Sequence, residues 1–165
     1  RAIAQASHLS AFSNSPLQLV ACRCSGLAPV GVFEFCESID GRPLWRVARP
    51  AKRHTLLLLG RQHPPETTGA IALMSFVERL FEEDELAERF REEVGVLLYP
   101  LINPDGVDKG YWRHNFQGKD LNREWGPLTQ PENRAVDADV TQWLDDNESQ
   151  LIKAIDFHST RYEVF

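Results

Sequence analysis

Short apolar runs alternate with longer amphipathic stretches along most of the chain. Thr55–Leu59 is almost continuously apolar, too short for a helix, and has the character of a strand buried on both faces. Val94–Pro100 has the same character, and Leu151–Phe157 repeats it further on. After the first run, Ile71, Met74, Phe76, Val77 and Leu80 predict the apolar face of a helix that begins near Gly69, capped by Thr67 or Thr68. Asp84–Glu92 reads as a second, charged helix. Val136–Gln150 reads as a third, with Val140, Trp143 and Leu144 facing inward. Upstream, Val30–Cys36 and Leu44–Ala48 are strand candidates on either side of an Asp40-Gly41-Arg42-Pro43 turn, followed by a basic loop, Arg49–Arg53. Residues 1–20 carry a weaker helical pattern through Ile3, Leu9 and Phe12, broken at Asn14-Ser15-Pro16. Strands alternating with helices predict an α/β domain: a mixed, largely parallel sheet with helices on both faces.

Composition narrows the class. With 165 residues, 42% hydrophobic and 25% charged, the chain fits one globular domain or a large piece of one. A net charge of −6 argues against nucleic-acid binding, which needs clustered Lys and Arg, but leaves room for a local basic pocket. No apolar run approaches the length of a membrane span. Cys22, Cys24 and Cys36 show no disulfide framework, which points to reduced thiols and a cytoplasmic setting. The chain begins at Arg1 with no leader-like apolar core, and Arg161–Phe165 reads as a chain still running into structure. Both features lead us to expect part of a longer protein.

In open α/β sheets ligands gather beyond the carboxyl ends of the strands. Three candidate residues, His63, Asn103 and His158, fall just after predicted strands. His63 and Glu66 form an H-x-x-E pair separated by Pro64-Pro65, which we expect to hold the loop extended. Two imidazoles and one carboxylate suit a catalytic zinc with one position left for water, so His63, Glu66 and His158 are the expected ligands of one ion. His114 competes as a ligand, but its place in an irregular loop favours a supporting or surface role. His8 and His54 are expected to be uninvolved, since His54 precedes its strand. Asp156, two residues before His158, points the same way along the strand and either orients an imidazole or faces a helix.

Asn103–Trp125 is a long polar segment, of the kind that is usually functional inside a compact domain. Asn103-Pro104-Asp105-Gly106 opens it as a turn signal. Arg113 suits stabilisation of a developing oxyanion, while Arg123, aided by Asn122, suits a two-pronged grip on a carboxylate.

Taken together, His63-Pro64-Pro65-Glu66, Asn103-Pro104-Asp105-Gly106, Asp120-Leu121-Asn122-Arg123 and Asp156-Phe157-His158 resemble the zinc carboxypeptidase superfamily. Gly41-Arg42-Pro43-Leu44 is similar to a strand entry before the first motif of that family, and the wording G-R-Q-H-P-P-E and D-L-N-R-x-W looks like its bacterial and cytosolic branch. The resemblance covers residues 40–165, the N-terminal part of the family's catalytic domain, and leaves residues 1–39 as a lead-in or accessory segment.

The resemblance implies His63, Glu66 and His158 as zinc ligands, Arg113 as oxyanion stabiliser, and Asn122 and Arg123 as the carboxylate grip. The implied substrate is a peptide with a free C-terminal carboxylate. The family's general-base glutamate lies well beyond its third ligand. Glu163 comes too early for that role, so the base is expected past residue 165 and the chain alone is expected to be inactive. Two other readings stay open: an N-acyl amino acid deacylase of the aspartoacylase and succinylglutamate desuccinylase type, and a non-catalytic binding module. The deacylase branch continues its D-L-N-R with Phe-Pro, where this chain has Glu124-Trp125. A purely structural zinc would call for four protein ligands, often Cys, and the cysteines lie far upstream.

Overall fold

The computed structural model describes residues 31–51 and 53–159. The helical pattern expected at residues 1–20, together with His8, Cys22, Cys24 and Arg161–Phe165, lies outside these residues. In chain order the elements are β1 (Gly31–Glu37), β2 (Pro43–Arg49), β3 (His54–Gly60), α1 (Thr67–Leu80), α2 (Glu85–Glu93), β4 (Val94–Tyr99), α3 (Pro104–Lys109), a 3-10 turn (Leu121–Arg123), α4 (Pro131–Asp146) and β5 (Gln150–Phe157). The strands form one mixed sheet in the order β1-β2-β4-β3-β5. β3 runs parallel to both β4 and β5, whereas β2 is antiparallel to β1 and β4. β1 lies within the stretch expected as a lead-in, and its residues 31–37 are hydrogen-bonded into this sheet.

The apolar run in β3 is continuous because both its faces are covered. Leu56 and Leu58 pack with Leu73, Val77 and Leu80 of α1 on one face. Leu57 and Leu59 pack with Val136 of α4 and with Leu121 on the other. β4 divides in the same way, Val96 and Leu98 against Leu97 and Tyr99. Each fully buried leucine contributes on the order of 1.5–3 kcal/mol relative to exposure, so these two strands anchor the sheet. β5 is the outer strand of the parallel part, and Leu151 and Ile152 remain exposed on it.

Several boundaries differ from expectation. Thr67 and Thr68 are the first helical residues of α1 rather than its caps, and Glu66 occupies the cap position without a side-chain cap bond. The Glu66 carboxylate is turned elsewhere, toward two histidines. On α1 the buried stripe is Gly69, Leu73, Val77 and Leu80, while Ile71 is exposed. Asp84 lies outside α2 and caps it, accepting from the Ala87 amide at 2.9 Å. Asn103-Pro104-Asp105-Gly106 does not stay a loop: Asn103 caps α3, its Oδ1 accepting from Gly106 N at 2.9 Å, with Pro104 in the first helical turn. α4 starts at Pro131, five residues before the expected point, because Pro is well suited to a first turn.

Candidate metal centre

The parallel register places the site. Gly60 at the end of β3 pairs with Phe157 near the end of β5, so His63 and His158 leave the sheet at the same edge. The chain turns sharply after β3. Arg61 adopts φ 53°, a left-handed conformation uncommon for a side-chain-bearing residue, and its guanidinium donates to Pro64 O at 2.7 Å. His63 O then accepts from Glu66 N at 3.3 Å. Pro64-Pro65 therefore lies inside a closed turn and not in the extended loop expected from two prolines. The closure matters, because it folds the side chain at 66 back onto the one at 63.

Glu66 lies between the two imidazoles. Its Oε1 is 2.8 Å from His63 Nδ1 and its Oε2 is 2.7 Å from His158 Nδ1. The two rings stand 4.8 Å apart between centroids. The Ser159 amide also donates to Glu66 Oε2 at 2.9 Å, and Ser159 Oγ accepts from Gly69 N at 2.9 Å, which ties the end of β5 to the first turn of α1. Burial opposes ionisation of Glu66, but the Ser159 amide and the two histidines outweigh it and hold its pKa below the ordinary range.

Each imidazole is held from behind by a carboxylate. His63 Nε2 is 2.9 Å from Asp120 Oδ1, and His158 Nε2 is 2.8 Å from Asp156 Oδ2. The contact with Asp156, ahead of the opposing effect of burial, raises the pKa of His158. Asp120 also accepts from Arg113 Nε at 2.7 Å. Burial pushes its pKa up, and the bonds from His63 and Arg113 bring it below the ordinary value.

When each imidazole carries its proton on Nε2, toward its carboxylate, both Nδ1 lone pairs face the Glu66 oxygens, and a shared cation would satisfy all three acceptors. One ligand atom from each of His63, Glu66 and His158 lies within 4.8 Å of the others. Two nitrogens and one carboxylate oxygen, backed by carboxylate–imidazole pairs, fit zinc.

The polar segment is held by buried amides. Asn103 Nδ2 donates to Gln62 O at 3.0 Å and His114 O at 3.2 Å. Asn115 Oδ1 accepts from the amides of Gln117 and Lys119. The 3-10 turn is capped by Asp120, whose Oδ1 also accepts from Asn122 N at 3.1 Å. Leu121 is fully buried beneath it. Arg113 and Asn122 are thus joined to the histidine site through a single carboxylate, while Arg123 is exposed on the same turn. His114 is exposed and stands outside the ligand cluster. His54 opens β3, at the opposite end from His63. Of the two readings of Asp156, the imidazole partner is the one realised.

Sequence reasoning assigned no role to Asp120, Gln62 or Trp125. Asp120 sat in plain view in the D-L-N-R motif, and the need of a ligating histidine for a carboxylate behind it was the signal to follow.

Comparison with known proteins agrees with this geometry. The zinc carboxypeptidase family model matches residues 17–160. The chain belongs to the zinc carboxypeptidase family. It is 34% identical over 108 residues to an uncharacterized protein of Zymomonas mobilis, covering 65% of this chain and 28% of that one. It is 30% identical over 112 residues to human cytosolic carboxypeptidase 6, covering 66% and 22%. Among solved structures, a metallo-carboxypeptidase from Burkholderia cenocepacia superposes with a TM-score of 0.73 at 25% identity, covering 89% of this chain and 41% of that one. The chain therefore spans about a quarter of the length of these curated relatives. As a member of the family it has zinc as its implied metal. None of the described helices is long and apolar enough to cross a membrane.

Proposed function

We propose that the protein is a metallocarboxypeptidase that hydrolyses the C-terminal bond of a peptide bearing a free carboxylate. The observation that carries this reading is the convergence of His63 Nδ1, the Glu66 carboxylate and His158 Nδ1 at the carboxyl edge of β3 and β5. These three residues would hold one zinc ion. When bound, such an ion acidifies water and polarises a carbonyl.

The remaining steps belong to the side chains. Asp120 and Asp156 hold the imidazole rings with Nδ1 directed inward. Arg113 uses Nε on Asp120, which leaves its terminal nitrogens to stabilise negative charge growing on the scissile carbonyl oxygen. Arg123 and Asn122 on the capped turn would bind the terminal carboxylate of the substrate and so fix which bond reaches the metal. Among the described residues none is assigned the proton transfer to and from the attacking water. The relatives named cytosolic carboxypeptidases support a cytoplasmic location.

The test is metal content of the purified chain, with His158→Ala as control, together with hydrolysis, by the whole protein, of a free-terminus peptide against an N-acyl amino acid. One zinc per chain, lost in the variant, with cleavage of the peptide, is the expected result. Cleavage of the N-acyl amino acid alone points to the deacylase. Zinc binding without cleavage of either points to the binding module.

A further inference from the structure

We infer that Trp125 and Gln62 are positioning residues that fix Asp156 behind His158 through a hydrogen-bond relay, and so aim the third metal ligand. The inference rests on the zinc site proposed above and adds two residues that touch neither the ligand atoms nor the substrate.

An indole N–H can only donate. Trp125 Nε1 donates to Gln62 Oε1 at 2.9 Å. This fixes the amide of Gln62 with its oxygen toward Trp125 and its NH2 toward Asp156, where Nε2 donates to Oδ2. The same oxygen of Asp156 is 2.8 Å from His158 Nε2. In the zinc-bound protein Nδ1 would give its lone pair to the metal beside Glu66, so the ring proton would sit on Nε2 and be donated to Asp156. Reversing the Gln62 amide would set carbonyl oxygen against carboxylate oxygen at one end and N–H against N–H at the other. The Gln62 amide thus has one sense, with its NH2 held on Asp156.

Gln62 cannot swing away to solvent. Its side chain is fully buried, and its backbone carbonyl accepts from Asn103 Nδ2 at 3.0 Å. Asp156, by contrast, sits on the outer strand β5 with part of its side chain exposed, and His158 is about as open. His63 needs no such help, being buried and backed by Asp120, which is itself held by Arg113 and the Asn122 amide. The relay therefore fastens the more exposed ligand to the buried side of the site. It also explains why a glutamine directly precedes His63 and a tryptophan follows the D-L-N-R-E run: side chains from three distant segments meet.

The experiment compares zinc affinity, by competition with a chromophoric chelator, in the full chain and in Gln62→Leu and Trp125→Phe. Nitrogen-15 and proton NMR of the zinc-loaded proteins follows the Nε2–H resonances of both histidines. Gln62→Leu is expected to weaken zinc binding by roughly 10- to 100-fold, and Trp125→Phe by roughly two- to tenfold. In both variants the Nε2–H signal of His158 should shift while that of His63 stays in place. A merely structural loss would move both signals together or neither. Affinities within twofold of the parent, with an unmoved His158 signal, overturn the relay. If Gln62→Leu does not fold, Trp125→Phe and the parent spectrum decide, and a zinc-loaded parent with the His158 proton on Nδ1 also overturns it. Failure of the parent to bind zinc at all would instead sink the underlying metal site, a separate result.

Discussion

Asp120 joins the histidine cluster to the polar loop: its Oδ1 lies 2.9 Å from His63 Nε2 while its Oδ2 accepts from Arg113 Nε at 2.7 Å. Through Oδ1 it also caps the turn that carries Asn122 and Arg123. Replacing it should harm two functions at once. Asp120→Ala is expected to weaken zinc binding by about 10- to 100-fold and to loosen the 121–123 turn. Chelator competition measures the first, and amide hydrogen exchange at Leu121–Arg123 the second. Unchanged affinity would remove Asp120 from the zinc site.

Arg113 and Arg123 should separate kinetically. In the whole protein Arg113→Ala is expected to lower kcat by about 10²–10³-fold, because oxyanion stabilisation acts only in the transition state. Arg123→Ala should instead raise KM for free-terminus peptides by roughly 10- to 100-fold, the value of a charged hydrogen-bonded contact, and leave substrates with a blocked terminus little affected. Equal losses on free and blocked substrates would count against the carboxylate grip.

Gly69 lies against the backbone of the third ligand. A Cβ built there would stand 2.8 Å from His158 C and 2.9 Å from His158 O. Backbone cannot yield as a flexible side chain can, so Gly69→Ala should push the end of β5 away from α1. The expected cost is about 1–3 kcal/mol of stability, with reduced zinc affinity. Gly126→Ala, where a Cβ meets nothing within 4 Å, is the control. Equal melting temperatures for the two variants would refute the close approach.

Glu132 gives the chain an expected pH dependence of stability. It is fully buried, and its Oε1 finds no hydrogen-bond partner among the described residues. Burial therefore raises its pKa, against weaker opposing hydrogen bonds that include one from Asn115. A carboxyl whose folded pKa is raised favours the fold while neutral in both states, and that contribution is lost as pH rises through the folded pKa. Glu132→Gln should remove this loss. Thermal unfolding between about pH 4 and pH 7 should show the variant gaining stability relative to the parent as pH rises, from the ordinary carboxyl range upward. Parallel pH profiles would show that Glu132 ionises freely in the fold.

Much of the architecture was legible without coordinates. The continuous apolar character of β3 and β4 identifies strands covered on both faces, and the spacing in 69–80 and 136–144 identifies helices, because burial imposes a period that neighbouring residues share. The convergence of His63, Glu66 and His158 was readable too, since the loop after β3 and the end of β5 leave the sheet at one edge, brought together by the parallel register.

The orientation of those ligands was not readable. It depends on pairs far apart in sequence: Asp120 is 57 positions from His63, and Asp156 is 94 from Gln62. A composition or a local period carries no record of which distant acceptor a donor will meet. The closed turn at His63–Glu66 likewise runs against the extended form that two prolines suggest by themselves. There the packing of α1 and the demand of Glu66 for its histidine partners decide the conformation. Sequence alone therefore determined which elements form and which side chains can bind a metal. Tertiary structure decided how those side chains face one another, because only folding brings the buried donors and acceptors into register.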